Sequence, residues 1–334
     1  MTKGVPPPLR ADLVGTGYSA PLIPATQPGM DEHARARTGL LFGLGAYLSW
    51  GVLPLYFKAL SNVLATEIVA QRLLWSLIFL AALLTLWKRW SSLKTILLNP
   101  KLMAALATTA VLIAINWLVY IWAVVNGHAL AGSLGYYLNP LVNVLLGVVL
   151  LREKLTKPQI VAITLGAVGV LVLATSSGAI QHLWISLSVA VSFGLYGYVR
   201  KIIPVDAIEG LTVETILLSP FALAYVLWLQ QQGQSGFGRD TTVDILLILG
   251  GAITATPMLF FGAAARRLRL TTIGLLQYIS PSLQFLIAVF VFGEALTLPH
   301  LICFAFIWTA LAVFAVDSAR SGRAAARERA AAQA

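Results

Sequence analysis

The sequence predicts an all-α polytopic membrane protein of ten transmembrane helices, built as two inverted five-helix repeats. Three observations predict it: a composition too apolar for a water-facing surface, ten successive apolar stretches of spanning length, and a motif that recurs in both halves. Of the 334 residues, 58% are hydrophobic and 11% charged, with mean hydropathy +0.84; a soluble domain carries about 25% charged residues. A soluble enzyme, a disordered regulator and a coiled coil are excluded on that ground. The single cysteine, Cys303, leaves no internal disulfide and no Cys-based metal site.

Residues 1–36 hold six of the fifteen prolines and no apolar run long enough for a signal-peptide core. They read as a disordered cytoplasmic tail, with Met30 an alternative start. Apolar stretches then follow one another at about 38–57, 65–87, 102–124, 130–150, 158–175, 182–199, 209–230, 244–265, 272–292 and 299–317. Each approaches the roughly 20 residues that a spanning helix needs. The connections are short and leave no room for a sizeable soluble domain. The first repeat is placed at 37–175, the second at 182–317, and 318–334 is a basic cytoplasmic tail.

With the N-terminus inside, 20 of the 23 basic residues fall on the inner side. Only Lys58 and Arg239 fall outside, and Arg72 alone lies within a span. This bias sets both termini in the cytoplasm. It also accounts for the net charge of +10 without nucleic acid, because the cations line an anionic leaflet.

The repeat is visible at an offset of 141 residues. Tyr137, Pro140, Glu153, Leu155, Thr156 and Pro158 fall on Tyr278, Pro281, Glu294, Leu296, Thr297 and Pro299. The first and sixth spans pair at an offset of 143, with Ser49, Gly51 and Lys58 on Ser192, Gly194 and Lys201; Glu67 matches Glu214. Five spans per copy is an odd number, so the second copy enters the membrane from the opposite side. Inverted repeats allow two states of similar energy, open to opposite compartments, with a binding site near the midplane. A solute carrier working by alternating access is the expectation. A channel and a non-transporting sensor or scaffold are the alternatives. No P-loop and no clustered His, carboxylate and nucleophile are present, so no enzyme, metal or cofactor is expected.

Polar residues within spans must find a partner or face water. Tyr136, Asn139, Asn143 and Gly147 form one stripe on the fourth span, and Gln277, Ser280, Gln284 and Ala288 form its counterpart on the ninth. Pro140 and Pro281 beside the stripes each free a backbone carbonyl and are expected to bend the helix. The stripes read as a substrate pathway or as interhelical hydrogen-bonding glue. Asn116 and Tyr120 share a face of the third span next to Trp117, and Trp50 lies mid-span; these add aromatic surface for a flat organic solute or simply pack. Glu67 and Arg72 are candidates for a gate or for proton coupling, or are a helix-end Glu and a snorkelling Arg. Glu153, among Arg152, Lys154 and Lys157, reads as a surface ion-pairing residue. Glu294, lacking such neighbours, reads as the anchor of a helix N-terminus.

Five segments carry a family resemblance: WGVLPLYFK (50–58), ATEIVAQRLLWS (65–76), NWLVYIWAVVNGHALAGSLGYYLNPLVNVLLGVVLLREKL (116–155), YGYVRK (196–201) and ARRLRLTTIGLLQYISPSLQFLIAV (265–289). The chain resembles the EamA family of the drug/metabolite transporter superfamily, and within it the RarD branch, over about residues 30–320. The resemblance implies a bacterial inner-membrane permease for small organic metabolites or drugs. Its partners are then a small solute and the lipid bilayer, with no nucleic acid; a homodimer is compatible.

Overall fold

The computed structural model describes residues 32–126, 128–176, 182–293 and 298–333. The segment 1–31, Glu294 and the residues after it to Thr297 lie outside the described residues. Twelve helices follow in order: α1 Glu32–Ala59, α2 Ala65–Leu86, α3 Trp90–Leu97, α4 Pro100–Val125, α5 Ala129–Leu151, α6 Lys157–Ser176, α7 Leu183–Ile202, α8 Ala207–Gln231, α9 Thr241–Ala265, α10 Leu270–Gln277, α11 Ile279–Phe290 and α12 Leu298–Gln333. Among the described residues ten segments are long and apolar enough to cross a membrane, with α10 and α11 together forming one of them. Helices are the expected solution, since hydrocarbon offers no partner to an unpaired backbone group.

Three features differ from the sequence reading. The first helix begins at Glu32, so the end of the segment read as a tail is helical. A short helix, α3, occupies the connection between the second and third spans and buries Leu93 and Ile96. Helix α12 continues beyond its span to Gln333, so the basic tail extends it.

Helix α1 packs against α9 and α11, α2 against α8 and α9, α4 against α7 and α8, α5 against α7 and α10, and α6 against α12. The core joins residues from most of these, among them Tyr47, Leu80, Leu106, Phe193, Tyr196 and Phe261. The bundle surface carries large apolar side chains such as Leu118, Leu145 and Phe221, as a lipid-facing surface requires. One end of the bundle is basic. There Asp206 pairs with both Arg89 (3.1 Å) and Arg266, and Arg35 donates to the Arg266 carbonyl at 2.9 Å. Burial alone would raise the Asp206 carboxyl, but Arg266 and Arg89 overcome it and hold the group below the ordinary carboxylate value.

Candidate solute pathway

The two polar stripes meet inside the bundle. Asn143 on α5 donates from Nδ2 to Gln277 Oε1 on α10 at 2.8 Å, and its own Oδ1 is buried without a partner. Gln277 is the last residue of α10, and the helix is interrupted at Tyr278, three residues before Pro281. Proline lacks the N–H that would bond the Gln277 carbonyl, and its ring crowds that carbonyl. Helix α5, by contrast, runs unbroken through Pro140. On α11, Gln284 donates to the Trp50 carbonyl at 3.0 Å and lies 3.3 Å from Ser280 Oγ. Asn139 is fully buried, and neither of its amide atoms has a hydrogen-bond partner. An orphaned buried amide costs roughly 1–3 kcal/mol.

Aromatic rings cluster beside the stripes. Trp50 lies 5.7 Å from Tyr47, 5.9 Å from Phe193 and 5.8 Å from Phe261, centroid to centroid. Tyr196 stacks on Phe261 at 6.0 Å. Tyr120 and Tyr136 meet edge to face at 5.2 Å. Trp117 borders a small internal cavity with Leu73, Ser76, Thr254 and Met258. Asn116 is committed elsewhere: its Nδ2 donates to the Val189 carbonyl at 2.8 Å and lies 3.3 Å from Ser192 Oγ, which fastens α4 to α7. That is the interhelical hydrogen-bonding arrangement.

Arg72 and Glu67 are not brought together. The Arg72 Nε donates to Thr254 Oγ1 on α9 at 2.5 Å, and its guanidinium lies 5.3 Å from the Phe57 ring centroid. Glu67 is fully buried and accepts from Ser235 Oγ (2.7 Å), Gly236 N (2.8 Å) and Phe237 N (3.3 Å). It clamps the loop between α8 and α9, a task whose donors are mostly backbone groups.

Sequence reasoning passed over a buried charge cluster. Arg200 is 1% exposed and lies 3.7 Å from Glu214, itself 2% exposed. Glu214 also accepts from Thr109 Oγ1 at 2.6 Å and Tyr196 OH at 3.1 Å. Glu209, fully buried, has Arg89 at 3.5 Å. Arg200 reads in sequence as an end-of-span cation and Glu214 as a helix-head carboxylate. The available signal is glycine spacing: Gly210 and Gly262 leave room for the Arg200 guanidinium where a Cβ would collide with it or crowd it.

Glu153 corrects the ion-pairing reading. Arg152 ends α5 in the left-handed conformation (φ 54°), and Glu153 then accepts from Leu270 N (2.8 Å), Thr271 N (3.0 Å) and Thr271 Oγ1 (2.9 Å). It caps α10, and no ion pair involves it among the described residues. The cap satisfies orphan N–H groups and places an anion at a helix N-terminus. Glu153→Ala is therefore expected to lower stability by about 1–2 kcal/mol. Thermal unfolding in detergent checks this, with exposed Lys154→Gln unchanged. Glu294, read as another such anchor, lies outside the described residues.

Among the described residues no group of three His, Cys, Asp or Glu side chains is placed to hold a metal ion. Residues 37–175 match the EamA-like transporter family. The chain is 44% identical over 299 residues to an uncharacterized transporter of Vibrio cholerae, covering 89% of this chain and 98% of that protein. The chain belongs to the EamA-like transporter family. Another member, Protein RarD of Escherichia coli, is 43% identical over 288 residues, covering 86% of this chain and 97% of its own length. A solved crystal structure with 19% identity covers 85% of this chain and 98% of its own at a TM-score of 0.67, a likeness of fold alone. Family membership, with the ten apolar segments, makes this a multi-pass membrane transporter; the names of these relatives carry no substrate.

Proposed function

We propose that the chain is a secondary permease that moves a small organic solute across the bacterial inner membrane by alternating access, with both termini and the basic end cytoplasmic. The observation that carries this reading is the meeting of the two stripes at Asn143 and Gln277, next to the unpartnered amide of Asn139. A site that only glued helices would be expected to satisfy its buried amides. A pathway whose polar groups change partners between two states leaves some of them unpaired in each.

The packing supports two inverted repeats. A Cβ at Gly51 on α1 would meet Leu283 Cδ2 on α11 at 2.7 Å. A Cβ at Gly194 on α7 would meet Val142 Cγ1 on α5 at 2.7 Å. Gly194 is Gly51 shifted by 143 residues and Val142 is Leu283 shifted back by 141, so one contact is the counterpart of the other. The pairing of α1 with α9 likewise has its counterpart in that of α7 with α4. In this reading the basic residues of the cytoplasmic end follow the positive-inside rule.

The test is flux in proteoliposomes, with solutes found by comparing metabolites of deletion and overexpression strains. Asn139→Leu combined with Gln284→Leu is expected to abolish transport while insertion and folding stay normal. Unchanged flux at normal expression removes the stripes from the pathway.

A further inference from the structure

Arg72 is a cation within a span, and among the described residues no anion is supplied to it. It lies seven residues into α2, roughly 10 Å along the helix axis at 1.5 Å per residue. The four ion pairs among the described residues involve Arg89, Arg200 and Arg266, and none involves Arg72. Glu67, the carboxylate nearest in sequence, uses both oxygens on the loop between α8 and α9. Only one edge of the Arg72 guanidinium is held, by Nε to Thr254 Oγ1 at 2.5 Å. A charged side chain at such depth is expensive and marks a functional site by default.

Its surroundings are aromatic and hydroxylic. Phe57 lies against the guanidinium, with 5.3 Å from its carbon to the ring centroid, and Tyr56 and Arg72 both pack against Gly250 of α9. Trp75 stands on the same face of α2, three residues on, and its indole N–H is buried without a hydrogen-bond partner. Thr254, which holds Arg72, borders the internal cavity shared with Trp117. Trp117 is one of the candidate pathway residues, so through Thr254 Arg72 borders the proposed pathway from its α2 side.

We infer that Arg72 is the anchor for a carboxylate of the transported solute, and that the solute is an organic monoanion with an aromatic or apolar body. This inference rests on the permease reading and names its substrate class. The planar guanidinium, with no hydrogen bond from its Nη atoms among the described residues, matches a carboxylate in a two-point contact. One cation balances one negative charge, which favours a monocarboxylate over a phosphate dianion. The rings beside it suit an apolar body. An amino acid is disfavoured, because its ammonium would need an anion and no unengaged carboxylate accompanies Arg72 among the described residues.

The test is calorimetric binding to the purified full chain in detergent at neutral pH, using phenylacetate, its neutral amide phenylacetamide, and phenylalanine. Wild type is expected to bind phenylacetate at least tenfold more tightly than phenylacetamide or phenylalanine. Arg72→Met should reduce phenylacetate binding to the level of the amide and leave amide binding unchanged, and Arg72→Lys should keep part of the preference. Equal binding of acid and amide, or no binding of either, overturns the assignment. So does an Arg72→Met variant that weakens both alike, which would make Arg72 a structural tie between α2 and α9. Phenylalanine binding as tightly as phenylacetate overturns the monoanion class. A wild type that carries out stripe-dependent flux without an acid preference sinks the Arg72 anchor and leaves the permease reading standing. Acid preference with stripe-independent flux does the reverse.

Discussion

Arg200→Met is expected to destabilise the protein by about 3–5 kcal/mol, the loss found when one partner of a buried ion pair is removed. Methionine keeps an unbranched apolar stem of similar reach, so the change is mainly one of charge. It strands Glu214, 2% exposed, with only the hydroxyls of Thr109 and Tyr196 to stabilise its carboxylate. Fully buried Glu209, on the first turn of the same helix, adds a second negative charge nearby. Domains are stable by only about 5–15 kcal/mol, so this one change takes a large share. The reasoning makes a sharper demand on the double variant. Arg200→Met with Glu214→Leu removes both charges, and most of the loss should be recovered, since the desolvation of each ion disappears with it. Arg200→Lys should fall between, keeping the charge but not the fork that also reaches the Ala207 carbonyl at 3.2 Å. Thermal unfolding in detergent of the wild type, Arg200→Met, Glu214→Leu and the double variant forms a double-mutant cycle. A double variant as unstable as the sum of its singles would mean that the pair does not act as a unit.

The fold was legible because length and hydropathy suffice to place a spanning helix. A run of about 20 apolar residues has one stable backbone solution in lipid, and its partner helices do not alter that. What escaped was whatever depends on a specific neighbour. Helix α3 is too short to show as a span, and the interruption at Tyr278 lies inside an unbroken apolar run. In the site, the spacing along α5 placed Tyr136, Asn139 and Asn143 on one face, but the hydrogen bond from Asn143 to Gln277 comes from the packing of α5 on α10, which spacing along one helix does not display. The partners of Glu67 and Glu153 escaped for a common reason. Most of their partners are backbone N–H groups of Gly236, Phe237, Leu270 and Thr271, and a backbone donor has no signature in a list of side chains. Arg200 and Glu214 sit at positions where charges are normally solvated. Their burial comes from the packing of α4, α7 and α8, which a single span does not display.

Gly251→Val is expected to prevent folding, with a loss of about 4 kcal/mol or more, the range reserved for a defined steric or electrostatic fault. In a helix interior, replacing glycine by alanine ordinarily gains up to about 1 kcal/mol, so any loss at Gly251→Ala already measures a clash. Here α2 and α9 touch backbone to backbone: a Cβ on Gly251 would collide with the carbonyl carbon of Trp75 and the nitrogen of Ser76. Ser76 Oγ lies 3.0 Å from the Gly251 carbonyl, which fixes the approach. Small residues permit such contact between spanning helices, and a helix backbone has no rotamer with which to yield. Gly51 and Gly194 provide the comparison, because the obstacles there are the side chains of Leu283 and Val142. Those can shift, so Gly51→Val and Gly194→Val should cost about 1–3 kcal/mol each, the usual penalty of overpacking. Folded yield and melting temperature should therefore rank Gly251→Val far below the other two, and similar losses at all three sites would mean that the α2–α9 contact is not tighter. The milder Gly251→Ala carries the argument to function. Thr254 lies three residues past Gly251 and Arg72 three before Trp75, so pushing α9 off α2 lengthens the 2.5 Å bond that aims the guanidinium. Such a variant, if folded, should lose flux although it touches no solute, and it should do so while keeping the stripe bond between Asn143 and Gln277, which lies on other helices.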